Sequence, residues 1–157
     1  MTTESEPRWL TDEEDRTWRS VWSLMTWLPV RLDAQLSASE GISLAEYSAM
    51  SQISDAPDRT VRLSELARTS NMTLSHLSRV MARLEKLGWV ARRPDPSDGR
   101  YTLGTLTDAG YDKVVESAPG HVEAVRSLVF DSLSPSQART FGLAAARVAE
   151  AVATPRP

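Results

Sequence analysis

Between Leu63 and Leu106 the apolar residues change their spacing, and this change limits the fold more than any other feature of the chain. Leu63 and Leu66 sit three apart, as on a short helix, and Ser64 stands where a cap is expected. Ser70-Asn71-Met72-Thr73 reads as a tight connection, with Thr73 placed to cap the next helix. Leu77, Val80, Met81, Leu84 and Leu87 then recur at steps of three and four, as one buried helical face requires, and Gly88 supplies a stop. Beyond Gly88 the period becomes that of strands. Trp89 to Arg93 and Tyr101 to Leu106 flank Pro94-Asp95-Pro96-Ser97-Asp98-Gly99, a dense set of turn formers. A short helix, a tight turn, a second helix and a polar-tipped hairpin therefore succeed one another.

Helices flank this unit on both sides. Thr11 and Glu14 have capping-box spacing, and Asp12, Glu13, Glu14 and Asp15 put acids in a first turn, where the helix dipole favours them. Trp18, Trp22, Met25, Leu28 and Leu32 continue as an apolar stripe, which Pro29 is expected to kink and Gly41 to end. Ser43 and Glu46 repeat the capping box and open a helix to about Ile53, followed by a loop over Ser54 to Arg59. Thr107 and Asp108 start another helix, expected to kink or break at Pro119-Gly120 and resume through Val122, Val125, Leu128 and Val129. Ser134, Pro135 and Gln137 start a last helix, which runs to about Ala153. The expected fold is mainly α: a winged helix-turn-helix with a two-stranded β-wing between flanking N- and C-terminal helices. The expected organisation is a disordered tail over 1–10, one domain over 11–153 with the winged part at 43–106, and a C-terminal tail over 154–157.

Charge is distributed unevenly. The net charge is −3, yet residues 62–100 hold eight Lys and Arg against four acids, so that segment is +4 and the remainder −7. A basic segment between acidic flanks is an electrostatic footprint for an anionic partner. Enzyme readings find no support. There is no cysteine, which excludes disulfides and thiol chemistry. His76 and His121 are the only histidines and have no metal-ligand spacing, and there is no nucleophile elbow or phosphate-cradling glycine loop. No metal, cofactor or catalytic residue is expected. The start MTTESEP lacks the features of a secretory signal, and Val21 to Val30 is too short for a membrane span, so the expected place is the cytoplasm.

Within the second helix of the pair, the residues off the apolar face are the kinds that read duplex DNA. Ser75, His76, Ser78 and Arg79 lie in the first turns, the end that commonly enters the major groove, behind a capping Thr73. Arg83 and Lys86 lie further along and are expected to meet phosphates. On the hairpin, Arg92 and Arg93 precede the tip and Arg100 comes after it, placed for a narrow minor groove, with Asp98 able to orient the Arg100 guanidinium.

These residues carry a family resemblance. The run LSELARTSNMTLSHLSRVMARLEKLGWVARRPDPSDGR, followed by LTDAG, resembles the MarR family of bacterial transcription regulators. The family's wing pattern, Asp-Pro-x-Asp-x-Arg, matches Asp95, Pro96, Asp98 and Arg100, and its LT-x-x-G matches Leu106, Thr107 and Gly110. The resemblance implies that the terminal helices, 11–40 and 108–153, pair two subunits, and that double-stranded operator DNA is the partner. The large apolar residues of those helices, which a small domain cannot bury alone, point the same way. It further implies a repressor released by a small aromatic ligand, for which Trp22, Trp27, Arg31, Tyr47 and Met50 are the candidate lining. The alternative is a winged-helix protein-interaction module without DNA binding, its acidic flanks suited to basic partners.

Overall fold

The computed structural model describes residues 6–153, so residues 1–5 of the expected N-terminal tail and the whole expected C-terminal tail, 154–157, lie outside the described residues. Helix α1 spans Asp12–Glu40. Its expected capping box is present: the Glu14 amide donates to Thr11 Oγ1 at 3.2 Å and the Thr11 amide donates to Glu14 Oε2 at 2.8 Å. The helix closes at Gly41, whose φ of 68° is the left-handed conformation that a C-cap requires. Helix α2 spans Leu44–Asp55 behind the second capping box, Ser43 with Glu46. The Leu44 amide also donates to Asp33 Oδ1 at 2.8 Å, so α1 supplies part of the cap of α2.

Strand β1, Thr60–Arg62, runs directly into helix α3, Leu63–Thr69, and helix α4 spans Leu74–Lys86. Strands β2, Val90–Asp95, and β3, Asp98–Leu106, form the hairpin. The sheet has the order β1-β3-β2 and is antiparallel throughout, with Thr60 opposite Thr105 and Val90 opposite Leu106. The expected two-stranded wing is thus three-stranded, and its tip shrinks to Pro96-Ser97. Because β1 leads straight into α3, the cap position falls on Arg62, and Ser64 lies inside the helix without capping it.

Helix α5 spans Asp108–Val125, a π-turn comes next over Arg126–Phe130, and helix α6 spans Pro135–Ala153. Neither proline ends its helix: α1 continues through Pro29 and α5 through Pro119, so a break at Pro119-Gly120 does not occur. A proline in a helix interior costs about 3 kcal/mol, but it removes one hydrogen bond, and packing on either side holds the path. Beyond Pro29, Leu36 is fully buried and Glu40 accepts from Lys113 Nζ of α5 at 2.9 Å. Beside Pro119, buried Ser117 donates to Lys113 O at 2.8 Å and to Glu40 at 3.4 Å.

The core lies among α2, α3, α4 and the sheet: Ile42, Met50, Ile53, Leu66, Leu77, Met81 and Leu84 are essentially inaccessible. Helix α5 joins it at a close approach. A Cβ on Gly110 would stand 2.1 Å from the Trp89 carbonyl oxygen, so only glycine fits there. Thr107 fixes the junction by donating its hydroxyl to Gly88 O at 2.8 Å. Among the described residues no helix is long and apolar enough to cross a membrane.

Candidate nucleic-acid interface

Helix α4 begins at Thr73, whose Oγ1 accepts the His76 amide at 3.1 Å. With Leu77, Val80, Met81 and Leu84 buried, about 100° per residue turns Ser75, Arg79, Ala82 and Lys86 outward as one strip. All four are exposed. Arg79 and Lys86 form no ion pair with any described residue. The two flanks of the helix are engaged. On one, His76 lines a groove with α1 and α2, and Arg83 Nε pairs with Glu46 Oε1 of α2. On the other, Glu85 faces the wing and receives three hydrogen bonds from Arg92: from its amide at 3.1 Å, from Nε at 3.1 Å and from Nη2 at 2.7 Å. These bonds hold the Glu85 carboxyl below its usual range. Ser78 is exposed on this second side.

The wing is braced from β1. Arg62 Nε donates to Asp95 Oδ2 at 2.7 Å, and its guanidinium lies 4.6 Å above the Tyr101 ring. Asp95 is buried, and its other oxygen accepts the Ser97 amide at 2.8 Å and the Ser97 hydroxyl at 2.7 Å. Those Ser97 bonds, with Arg62 adding to them, bring the Asp95 carboxyl down to about 2. At the tip, Arg100 bonds both oxygens of Asp98 through Nε and Nη2, at 2.7–3.2 Å, and its side chain stays 84% exposed. Arg93 is exposed and forms no ion pair with a described residue.

Two basic residues expected to face DNA, Arg83 on α4 and Arg92 on the wing, are therefore held by carboxylates of this chain. Sequence reasoning missed the partners. Glu46 was visible as a capping-box residue, Glu85 as one acid on a basic helix, and Arg62 and Asp95 as members of the charged segment. Nothing local marks them as pairs, because Glu46 and Arg83 lie on different helices and Arg62 and Asp95 on different strands.

The five proposed ligand-lining residues lie in separate places within the single chain. Met50 is 0% exposed and Tyr47 is buried, both in the core of α2. Trp22 and Trp27 instead line a shallow depression on α1 with Trp18, Asp15 and Arg19, and Arg31 is exposed elsewhere on that helix. An apolar–aromatic pattern does not reveal whether a side chain turns into the core or out of it. The larger groove, about 940 Å³, lies between α1, α2 and the α3–α4 turn, lined by Pro29, Val30, Asp33, Leu44, Ser70, Met72 and His76 among others. The Ser70 hydroxyl is buried without a hydrogen-bond partner. Among the described residues no cluster of His, Asp or Glu could hold a metal ion.

Comparison with known proteins matches this geometry. The family model for the MarR family matches residues 42–102, from the start of α2 to the middle of β3. The crystal structure of Sco3205, a MarR family transcriptional regulator from Streptomyces coelicolor in complex with DNA, is 44% identical with a TM-score of 0.88, covering 94% of this chain and 92% of that one. AbsC, a MarR family regulator from the same organism, is 29% identical with a TM-score of 0.86, covering 93% and 98%. The HTH-type transcriptional repressor YetL of Bacillus subtilis is 28% identical over 104 residues, 66% of this chain but only 62% of YetL. With an extended outer strip on α4, a braced wing, and 44% identity to a member over nearly the full length of both chains, this protein belongs to the MarR family of transcriptional regulators.

Proposed function

We propose that this chain is a cytoplasmic, homodimeric, sequence-specific DNA-binding repressor without catalytic activity. The observation that carries the reading is the outer strip of α4. Ser75, Arg79 and Lys86 stand exposed, outside the core and outside any ion pair with a described residue, while the helix is held on both flanks. In this reading Thr73, Ser75, Ser78 and Arg79 meet base edges and nearby backbone in the major groove. His76 borders them from the α1 side. Lys86 and Arg93 meet phosphates, and Arg100, oriented by Asp98, reaches into the minor groove. The apolar faces of α1 and α6 pair two copies, which sets two such helices on two half-sites. The DNA complex of Sco3205 and the repressor name of YetL support the reading.

Release by a small ligand is part of the proposal, with the groove between α1, α2 and α4 as its seat in place of the Trp22, Trp27, Arg31, Tyr47 and Met50 set. The groove joins the first turn of α4 to α1, so an occupant that differs in affinity between two arrangements of these helices shifts DNA affinity. The test is selection of bound fragments from sheared genomic DNA by the purified protein. Enrichment of a shared inverted repeat supports the reading, and fragments enriched no more than their input refute it.

A further inference from the structure

We infer that Arg83 is a positioning residue that seats the recognition helix on α2 through buried Glu46, and that it neutralises no phosphate. The inference rests on the DNA-binding reading above and assigns a different task to one of its basic residues.

Both oxygens of the Glu46 carboxylate are engaged. Oε2 accepts the Ser43 amide at 2.8 Å in the capping box, and Oε1 pairs with Arg83. The Glu46 side chain is 5% exposed, whereas that of Arg83 is 61% exposed. A buried carboxylate has no water to fall back on, so losing its cation leaves a charge uncompensated in a poor solvent for it. The solvated arginine has no such constraint. The pair is therefore anchored from the α2 side, and a phosphate would have to draw Arg83 away from the group that needs it most. Direction agrees with this. Arg83 lies on the same flank of α4 as His76, turned about 40° from Arg79 toward α2, where Glu46 meets it. The opposite flank carries the same kind of bond with the sense reversed, Glu85 on α4 to Arg92 on β2. Helix α4 is held from both sides by carboxylate–guanidinium pairs, and its tilt in the groove is set by where those pairs fix it. The shared +4 of this segment then overstates the charge available to DNA.

The experiment measures affinity of the full chain for a selected duplex and for an unrelated duplex, over a range of salt concentrations. A residue that meets phosphate contributes counterion release, so removing it lowers the steepness of log affinity against log salt by about 0.9 per contact. Arg83→Met is expected to weaken the selected duplex roughly tenfold, with the salt slope of the wild type and unchanged affinity for the unrelated duplex. Lys86→Met is expected to lower the slope and both affinities. Glu46→Gln keeps the shape and the Ser43 contact, so it keeps the question answerable if Arg83→Met fails to fold. It is expected to weaken the selected duplex as Arg83→Met does. A slope for Arg83→Met that falls as it does for Lys86→Met overturns the inference. So does a Glu46→Gln chain that keeps the wild-type affinity for the selected duplex. A wild-type chain with no salt-dependent affinity for either duplex overturns the DNA-binding reading itself, and this inference with it.

Discussion

The winged part and the flanking helices treat their apolar residues in opposite ways. In α2, α3 and α4 nearly every large apolar residue facing inward is buried: Met50, Ile53, Leu66, Leu77, Met81 and Leu84. In α6 none is, and in α1 only Leu36 is. Trp22 is 56% exposed, Leu143 72% and Val152 80%. Single exposed apolar residues are ordinary, but a row of them along two long helices is not. The winged part satisfies itself within one chain. The flanks carry a surface whose proper partner is another copy, so the molecule reads as a self-sufficient reading head on an arm built for pairing.

The largest effect comes from breaking the arm. The double variant Trp22→Glu with Leu143→Glu should leave a folded monomer, seen as halved mass in sedimentation and an unchanged α-helical circular dichroism spectrum per residue. Losing the second half-site removes the gain from linked binding, so affinity for a two-half-site duplex should fall by about 10²–10⁴-fold. A variant that stays dimeric would place the pairing surface elsewhere.

Breaking the head behaves differently. Leu77→Ala opens a cavity under the recognition helix and should cost about 2–5 kcal/mol in urea unfolding, with the dimer intact. Gly110→Ala drives a methyl against the Trp89 carbonyl and should cost about 1–3 kcal/mol or more. Their unfolding midpoints should shift at every protein concentration, whereas the monomeric arm variant should lose the concentration dependence of the midpoint that a dimer shows. If Leu77→Ala releases monomers before it unfolds, the two regions are not separable in this way.

The same contrast governs what could be read from residues alone. Capping boxes at Thr11, Ser43 and Ser134 were legible because each is complete within four residues, and all three are formed. Helix α4 was legible because its apolar period is long and unbroken. Strand β1 was missed because three residues carry too little pattern and its partner, Thr105, is far along the chain. A break at Pro119-Gly120 was a misleading expectation because a local rule was overruled by packing of α1 on α5. The outward strip of α4 was largely legible from periodicity, as Ser75, Arg79 and Lys86 show. The pairing of Arg83 and Arg92 with acids was not, since an ion pair between distant segments leaves no spacing behind it.

Sharper tests lie within the head. Arg79→Ala should cost about 1–3 kcal/mol at a selected duplex and flatten discrimination among duplexes in a competition assay. An equal loss on all sequences would make Arg79 a phosphate contact. The smallest effect concerns acid. Asp95 titrates near 2 in the folded chain, against an ordinary value of 3.8, so its carboxylate stabilises the fold fully above about pH 3.8 and progressively less as the pH falls toward 2. Urea midpoints between pH 2 and 5 should therefore fall more steeply on acidification in the wild type than in Asp95→Asn. Parallel curves would show that the Arg62–Asp95–Ser97 brace is dispensable to folding.

The comparison between head and arm comes down to stoichiometry on DNA. Native mass measurement of the full chain with a selected duplex should give two chains per duplex, on a site of two inverted half-sites with centres about 34 Å, or a multiple of that, apart. One chain per duplex, on a site with no repeat, would contradict the account.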